Sequence, residues 1–212
     1  DVQLEFVAPG TPLPLDAQLI VLPGSKATIA DLEFLRAQGW HIDLQAHVRR
    51  GGRVLGICAG YQMLGKIVED PQQIEGPRAS CPGLDLLDIR STMTAHKTLR
   101  AVSGVELASG ARIAGYEMHL GATDGPATSR PMIRFDDGTP DGAVSADGRI
   151  AGCHVHGLFA AGAFRKAYLA VLGARSNGED HAQRVDRALD EIAAALEAAL
   201  DIERLLRLAS AV

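Results

Sequence analysis

The chain has 212 residues, of which 47% are hydrophobic and 22% charged, a balance typical of a globular domain with a sizeable core. Its formal net charge is −5 and its Lys and Arg residues form no stripe, so the composition argues against a nucleic-acid partner and against a membrane surface. Three cysteines, an odd number, do not suggest a disulfide framework and indicate a reducing compartment, which we take to be cytoplasmic.

The first predicted elements have the order of a parallel α/β sheet. A strand-like stretch at 2–7 precedes a Pro/Gly turn, and a buried strand follows at 17–22. Helical spacing of the apolar residues then predicts helices at 28–38 and 42–50, each followed by glycine. Because these helices separate one buried strand from the next, the order favours parallel strands with helices on both faces of the sheet.

The next strand, 54–57, ends at a cysteine between small residues. The sequence Gly56-Ile57-Cys58-Ala59-Gly60 leaves room for a sharp strand-to-helix turn, the nucleophile elbow, which presents a reactive side chain at the sheet's carboxyl edge. The amino terminus of the helix that follows is expected to favour the thiolate. The alternative interpretation is a structural cysteine buried at a strand end, since free cysteines are common in protein cores.

The second half of the chain is predicted to be richer in strands. The segment 69–95, with many Pro and Gly residues, is predicted to be an irregular connection. Short strands, partly antiparallel, are predicted at 112–118, 131–135, 143–146 and 150–155. The expected fold class is therefore α/β, with a mostly parallel, doubly wound sheet.

Helices are predicted to end the sequence. One is expected at 163–172, and a long amphipathic helix at 180–208. The apolar stripe of the long helix could form a coiled-coil seam, but its short repeat favours docking on the body of the protein. Because the chain begins without Met, we expect 1–15 to be the remnant of a linker from an absent N-terminal domain. The main domain is placed at 16–175 and a packed helical extension at 176–212.

A cysteine nucleophile needs a general base. Among the seven histidines, His154 and His156 end the last predicted strand, and their spacing puts both on one face if the strand continues. Only one of them is needed at the cysteine. Two histidines at this spacing could alternatively bind a metal ion, but no third ligand follows at a suggestive spacing, so we expect no metal site.

Five stretches of the chain share their order with a known family. They are 22–28 (LPGSKAT), 56–65 (GICAGYQMLG), 97–100 (KTLR), 115–121 (GYEMHLG) and 156–159 (HGLF). Together they resemble class I glutamine amidotransferases, most closely the cobyric acid synthase branch. A lone G-x-C-x-G motif is a weak signal, whereas matches in one order across nearly the whole chain are specific. The resemblance implies the class I amidotransferase fold.

The resemblance also implies which residues perform the chemistry. Cys58 is implied to attack the side-chain amide of glutamine, which forms a γ-glutamyl thioester and releases ammonia, with His156 as the acid and base. Backbone N–H groups of Ala59 and of the Gly24-Ser25 loop are implied to form the oxyanion hole. Substrate binding is implied for Gln62 and Tyr116, although a structural tyrosine in a strand fits Tyr116 equally well.

The chain departs from the family pattern at two places. Many class I amidotransferases carry a glutamate two residues after the catalytic histidine, and here Leu158 stands at that position. This agrees with the Cys–His dyad of the branch but leaves open whether a backbone carbonyl or Glu117 orients His156. Cys153-His154 stands where the family usually has Thr-Tyr, which adds a thiol and an imidazole near the site.

No G-x-x-x-x-G-K-[ST] phosphate-binding loop occurs in the sequence. The resemblance implies no cofactor in this chain, and places ATP and Mg²⁺ in the absent N-terminal synthetase domain. The implied function is ammonia supply for amidation of corrinoid carboxylates in cobalamin biosynthesis. The implied partners are L-glutamine and, through the synthetase domain, a corrinoid acceptor of the cobyrinic acid a,c-diamide type. Lys97 and Arg100, predicted to lie in a loop, could face such a polycarboxylate or be solvated.

Two other functions stay open at this point. One is a glutaminase subunit of a related ligase, such as one that amidates a cell-wall precursor. The other is a catalytically idle, partner-binding domain of the same fold.

Overall fold

Residues 2–209 are described by the computed structural model of the chain. The strands, in chain order, are β1 (Leu19–Leu22), β2 (Arg53–Ile57), β3 (Ile67–Glu69), β4 (Ser80–Pro82), β5 (Arg90–Glu106), β6 (Arg112–Asp124), β7 (Ile133–Phe135), β8 (Pro140–Asp141), β9 (Ala143–Val144), β10 (Ile150–Cys153) and β11 (Val155–His156). The helices are α1 (Thr28–Ala37), α2 (Trp40–Arg49), α3 (Ala59–Met63), α4 (Gly162–Val171), α5 (His181–Ala199) and α6 (Ile202–Ala209).

A four-stranded sheet in the order β1-β2-β10-β9 carries the elbow. β1 and β10 both run parallel to β2, and β9 is antiparallel to β10. The register pairs Leu22 with Gly56 and Cys153 with Ile57, so the three parallel strands end at the same edge. The loops that leave this edge therefore begin side by side, which confirms the predicted parallel arrangement.

The strand β2 is covered on both of its faces because its residues alternate between two cores. Val54 packs in one core with Leu32 of α1 and Leu44 of α2. Leu55 packs in the other core, which contains Phe164 of α4. This arrangement of helices on both faces of a parallel sheet confirms the predicted α/β class.

A second, mostly antiparallel sheet has the order β11-β6-β5-β3-β4, with β7 and β8 attached through β5. Its main component is the long hairpin of β5 and β6, with a register shift between Thr92 and Lys97. The prediction of an irregular connection at 69–95 is therefore confirmed for 70–79 and 83–89 and wrong for β4 and the beginning of β5. The prediction of a loop around Lys97 and Arg100 was wrong. This part of β5 is largely exposed, so its side chains lack the alternation of apolar and polar residues that marks a half-buried strand.

The ends of the chain also differ from the predictions. Residues 2–7 form no strand. The long C-terminal helix is interrupted at Leu200, whose backbone is extended, and Asp201 begins α6 by accepting a hydrogen bond from the N–H of Arg204 at 2.9 Å. Neither α5 nor α6 buries a side chain in the described residues, so the structure does not show the packing that we expected for the extension. The boundaries at 15 and 175 stay predictions.

Within residues 2–209, every helix is too short or too polar to cross a membrane.

Candidate active site

The elbow places Cys58 at a strained turn between β2 and α3. Its backbone has φ 55° and ψ −114°, a conformation that residues with side chains rarely adopt. The turn fits because its neighbours have no side chains: a Cβ at Gly56 would lie 2.6 Å from the carbonyl oxygen of Gly60. A Cβ at Gly60 would lie 2.0 Å from the carbonyl oxygen of Leu22. The glycines are therefore required by the close approach of β1, β2 and α3.

The Cys58 side chain is buried, with 5% of its residue surface exposed. Burial raises the pKa of the thiol, the N–H of Ala59 opposes this, and the negative charge of Glu75 adds to it. The N–H of Ala59 at the helix terminus favours the thiolate, as expected, but the pKa of the thiol is raised overall because desolvation is the larger effect. The thiol instead donates a hydrogen bond to the Met118 carbonyl of β6 at 3.2 Å.

Gly24 brings the nucleophile and the predicted base together. A Cβ at Gly24 would lie 3.5 Å from Cys58 Cβ and 2.8 Å from His156 Cε1. Both side chains therefore border the same small space at the end of β1. The Nε2 atom of His156 is buried and has no hydrogen-bond partner among residues 2–209. The ring atoms of His156 that border this space are Cε1 and Nδ1, the latter 3.7 Å from the same Cβ position. A buried imidazole that lacks a hydrogen-bond partner can accept a proton, and we expect His156 to serve as the base for Cys58.

The position two residues after His156, where a triad acid would stand, lies in the core. Leu158 is buried there with 1% of its surface exposed. Glu117 does not replace the acid, because its carboxylate accepts a hydrogen bond from Arg100 Nε at 2.5 Å. The ring of Tyr116, which pairs with His156 across β6 and β11, stacks on the imidazole instead, with centroids 5.0 Å apart and an interplanar angle of 5°.

His154 belongs to a different cluster from His156, because the strand breaks between β10 and β11. Its Nδ1 is 2.8 Å from Asp141, and its backbone N–H donates to the same carboxylate at 2.8 Å. Its ring also stacks on His119 with centroids 4.0 Å apart and meets Tyr61 edge-on. Burial, followed by the charge of His154, lowers the pKa of His119 to about 4, so His119 is neutral at pH 7. His154 is thus held by the protein and lies outside the Cys58–His156 space.

Gln62 lies one turn beyond the elbow but is buried, with 2% of its surface exposed. Its amide nitrogen donates to the Leu120 carbonyl at 3.1 Å, and its oxygen lies 3.5 Å from Thr28 Oγ1. Glu75 reaches the same place and accepts hydrogen bonds from the N–H and hydroxyl of Thr28 at 2.6 and 3.2 Å. Both ends of the Gln62 amide thus have partners within the protein, and its contact with glutamine stays a prediction.

The predicted oxyanion-hole residues all lie around the elbow. Ala59 begins α3 directly after Cys58, and its N–H faces the thiol. Gly24 lies beside Cys58, as described above. Ser25 follows it and holds the loop, because its hydroxyl donates to Asp31 and accepts the N–H of Ala27 at 2.9 Å. The role of these groups toward an oxyanion stays a prediction.

Three contributors to the site were not found from the sequence. Glu75 lies in the stretch taken as irregular, Asp141 lies in a Pro-Asp pair that resembles an ordinary turn, and the Met118 group is a carbonyl, which carries no side-chain signal. In the described part of the chain, no cluster of three or more His, Cys, Asp or Glu side chains could hold a metal ion.

Comparisons with known proteins agree with this geometry. The family model for the CobB/CobQ-like glutamine amidotransferase domain matches residues 1–164. The chain is 57% identical over 208 residues to a cobyric acid synthase of Caulobacter sp. strain K31. This match covers 98% of this chain and 43% of that protein. It is 55% identical over 208 residues to the cobyric acid synthase of Bradyrhizobium sp. strain BTAi1, covering 98% and 42%. The chain thus spans less than half the length of these curated relatives.

Similarity to solved structures is weaker. A glutamine amidotransferase crystal structure matches 66% of this chain and 70% of its own, with 17% identity and a TM-score of 0.44. The structure of PurLQS from Thermotoga maritima matches 66% and 69%, with 17% identity and a TM-score of 0.47.

The family model covers residues 1–164, well over half of the chain, and therefore includes the elbow, Cys58 and His156. This confirms the predicted resemblance. The chain belongs to the CobB/CobQ-like glutamine amidotransferase domain family.

Proposed function

We propose that this chain hydrolyses L-glutamine at Cys58 and supplies the ammonia to a synthetase site. The observation that carries the proposal is the strained elbow of Cys58, φ 55°, which shares the space at Gly24 with the imidazole of His156. Strain of this kind persists only where the surrounding structure enforces it, and it is concentrated at functional sites. An idle domain has no need to keep a cysteine in this conformation next to a histidine with a free nitrogen.

The proposed reaction begins when the Cys58 thiol leaves the Met118 carbonyl and gives its proton to the His156 imidazole. The sulfur attacks the side-chain carbonyl carbon of glutamine, and the Ala59 N–H together with the Gly24-Ser25 loop stabilises the oxyanion. The intermediate collapses to a γ-glutamyl thioester while His156 protonates the departing ammonia. His156 then takes a proton from the water that attacks the thioester, the C–S bond breaks to release glutamate, and His156 returns the proton to the Cys58 sulfur. No cofactor takes part in this half of the reaction.

The test is ammonia release from L-glutamine by the wild-type chain and two variants. Cys58→Ala is expected to show no turnover, and His156→Ala to lose about 10²–10⁴-fold, the usual worth of a positioned acid and base. Cys81→Ala is the matched control, because Cys81 is also a free, buried cysteine but belongs to the core. A glutamine-analogue diazoketone should label Cys58 and spare Cys81 and Cys153. Turnover that survives in Cys58→Ala rejects the proposal.

We further propose that the ammonia is used to amidate corrinoid carboxylates, with ATP and Mg²⁺ bound by a synthetase domain outside these residues. The support is the name cobyric acid synthase of relatives that are 52–57% identical to this chain. This similarity favours the corrinoid acceptor over a cell-wall precursor. The deciding experiment adds the separately produced synthetase domain, ATP and a cobyrinic acid a,c-diamide acceptor, and measures whether glutamine hydrolysis rises and becomes coupled to ATP use. Amidation of the acceptor by this chain alone contradicts the proposal. The cytoplasmic location stays a prediction.

A further inference from the structure

His156 is fixed by contacts other than an acidic side chain. No carboxylate hydrogen-bonds its ring within residues 2–209, since Leu158 occupies the usual place of the acid and Glu117 is bonded to Arg100. The plane of the imidazole is nevertheless defined, because the Tyr116 ring stacks on it with an interplanar angle of 5°. The backbones of Tyr116 and His156 are opposite each other in the antiparallel pair of β6 and β11.

The pairing of these strands is tight at this point. A Cβ at Gly115 would lie 2.1 Å from the His156 carbonyl oxygen, so the absence of a side chain lets β11 approach β6. Gly157, with φ 83°, then turns the chain away immediately after His156. The backbone therefore sets the distance between the two rings, and the stack does not depend on a flexible loop.

A tyrosine in this position can serve both purposes of a triad acid. Parallel stacking restricts rotation of the imidazole, which keeps the ring edge that carries Cε1 and Nδ1 at the space shared with Cys58. The face of an aromatic ring is electron-rich and attracts a cation within about 6 Å of its centroid. The imidazolium that forms when His156 takes the thiol proton lies 5.0 Å from the tyrosine centroid. The attraction arises only after the proton has moved, so it favours the reacting state.

We propose that Tyr116 is the positioning residue of the catalytic dyad: its stacked ring holds His156 toward Cys58 and stabilises the imidazolium in place of the absent carboxylate. This inference rests on the proposed function. It gives Tyr116 a role different from the substrate binding expected from the sequence, and the two roles lead to different kinetics.

The test compares Tyr116→Ala, Tyr116→Phe and Tyr116→Leu. Loss of the stack is expected to lower kcat about 3- to 30-fold in the Ala and Leu variants, with KM nearly unchanged. The Phe variant, which keeps the ring, should recover most of that rate. In NMR spectra, the carbon-bound protons of the His156 ring should lose the upfield displacement caused by the tyrosine in Tyr116→Ala and keep it in Tyr116→Phe. The matched control is Phe34→Ala, since Phe34 on α1 is similarly exposed (45%, against 43% for Tyr116) and forms an aromatic pair with Trp40 of α2.

Three results overturn the inference. A raised KM with unchanged kcat in Tyr116→Ala assigns the residue to substrate binding. Equal losses of kcat in the Phe and Ala variants assign the effect to the hydroxyl. Alkylation of Cys58 by iodoacetamide needs no glutamine. It therefore tests the positioning role of Tyr116 independently of whether the chain hydrolyses glutamine. A wild-type chain that hydrolyses no glutamine rejects the function, whereas equal alkylation rates in wild type and Tyr116→Ala reject the positioning role.

Discussion

At the scale of single residues, the Cys58 thiol is buried and lies near negatively charged side chains. Glu75 hydrogen-bonds the start of α1, and its charge acts on Cys58 together with that of Asp141. Burial is the larger cause of the raised pKa of Cys58, and these charges add to it. The thiol therefore predominates over the thiolate at neutral pH, and in the proposed mechanism the thiolate forms by transfer of the proton to His156.

This arrangement predicts the effect of removing the Glu75 charge. Glu75→Gln should lower the pKa of Cys58, because the thiolate no longer faces that negative charge, while the amide oxygen can still accept the Thr28 N–H. The pH profile of Cys58 alkylation by iodoacetamide should shift to lower pH. Glu33→Gln, which removes an exposed charge elsewhere on α1, is the matched control. A profile that is unchanged or shifted upward in Glu75→Gln contradicts this electrostatic account.

At the scale of elements, the elbow depends on how closely β1, β2 and α3 approach. At Gly60 the chain passes so close to the Leu22 carbonyl that an added Cβ would overlap with it. Because the carbonyl belongs to the backbone, a change of side-chain rotamer cannot relieve that overlap. The same close packing allows Gly24 to border both Cys58 and His156. The geometry of the site is therefore set by backbone contacts between elements, which hold it before any substrate binds.

Gly60→Ala tests this dependence. The added Cβ would lie 2.0 Å from the Leu22 carbonyl oxygen, so the variant should be destabilised by about 3 kcal/mol, the upper part of the usual range for overpacking. Gly76→Ala is the control, because a Cβ there has no neighbour within 4 Å and should leave stability unchanged or raise it slightly. Denaturant unfolding of the two variants measures the difference. Equal stability of both variants would show that the backbone at the elbow can relax.

The features of the fold that were predicted correctly depend on local sequence, and those that were missed depend on contacts between distant segments. The elbow, β1 and α1 were predictable, because small residues at a turn and helical periodicity are local signals. The proximity of Cys58 and His156 was expected from the family resemblance. The hydrogen bonds that hold Gln62 were not predictable, because its partners Leu120 and Thr28 are distant in sequence. Glu75 was missed for the same reason, and β5 was missed because an exposed strand has no apolar alternation to reveal it. Contacts made across the fold leave no pattern within a single segment.

At the scale of the whole molecule, the C-terminal extension is attached at its beginning. Asp180 accepts the N–H of Gly162 at 2.5 Å at the start of α4, and the Glu179 carbonyl accepts a hydrogen bond from Arg165. A Cβ at Gly162 would lie 2.0 Å from the carbonyl oxygen of Gly178, so the chain passes directly against α4. Beyond His181 the apolar stripe is exposed, with Leu189 and Ile192 at 58% and 56%.

These contacts predict that two truncations differ sharply in stability. A chain ending at His181 should unfold within about 2–4 °C of the full chain, because its main losses are weak. They are the partly exposed ion pair of Arg187 and Glu179, worth at most about 1 kcal/mol, and the hydrogen bonds of Arg184 to Asp180 and His181. A chain ending at Arg175 also loses Asp180, whose carboxylate accepts the N–H of Gly162 at the start of α4. We expect this chain to be less stable by a further amount of about 1–2 kcal/mol. Thermal unfolding followed by circular dichroism measures both. If the first truncation lowers the midpoint as much as the second, α5 and α6 pack on the body in solution, as the sequence led us to expect. If only the second does so, the helices are held by the attachment at 178–180, and their apolar stripe contributes nothing to the stability of this chain.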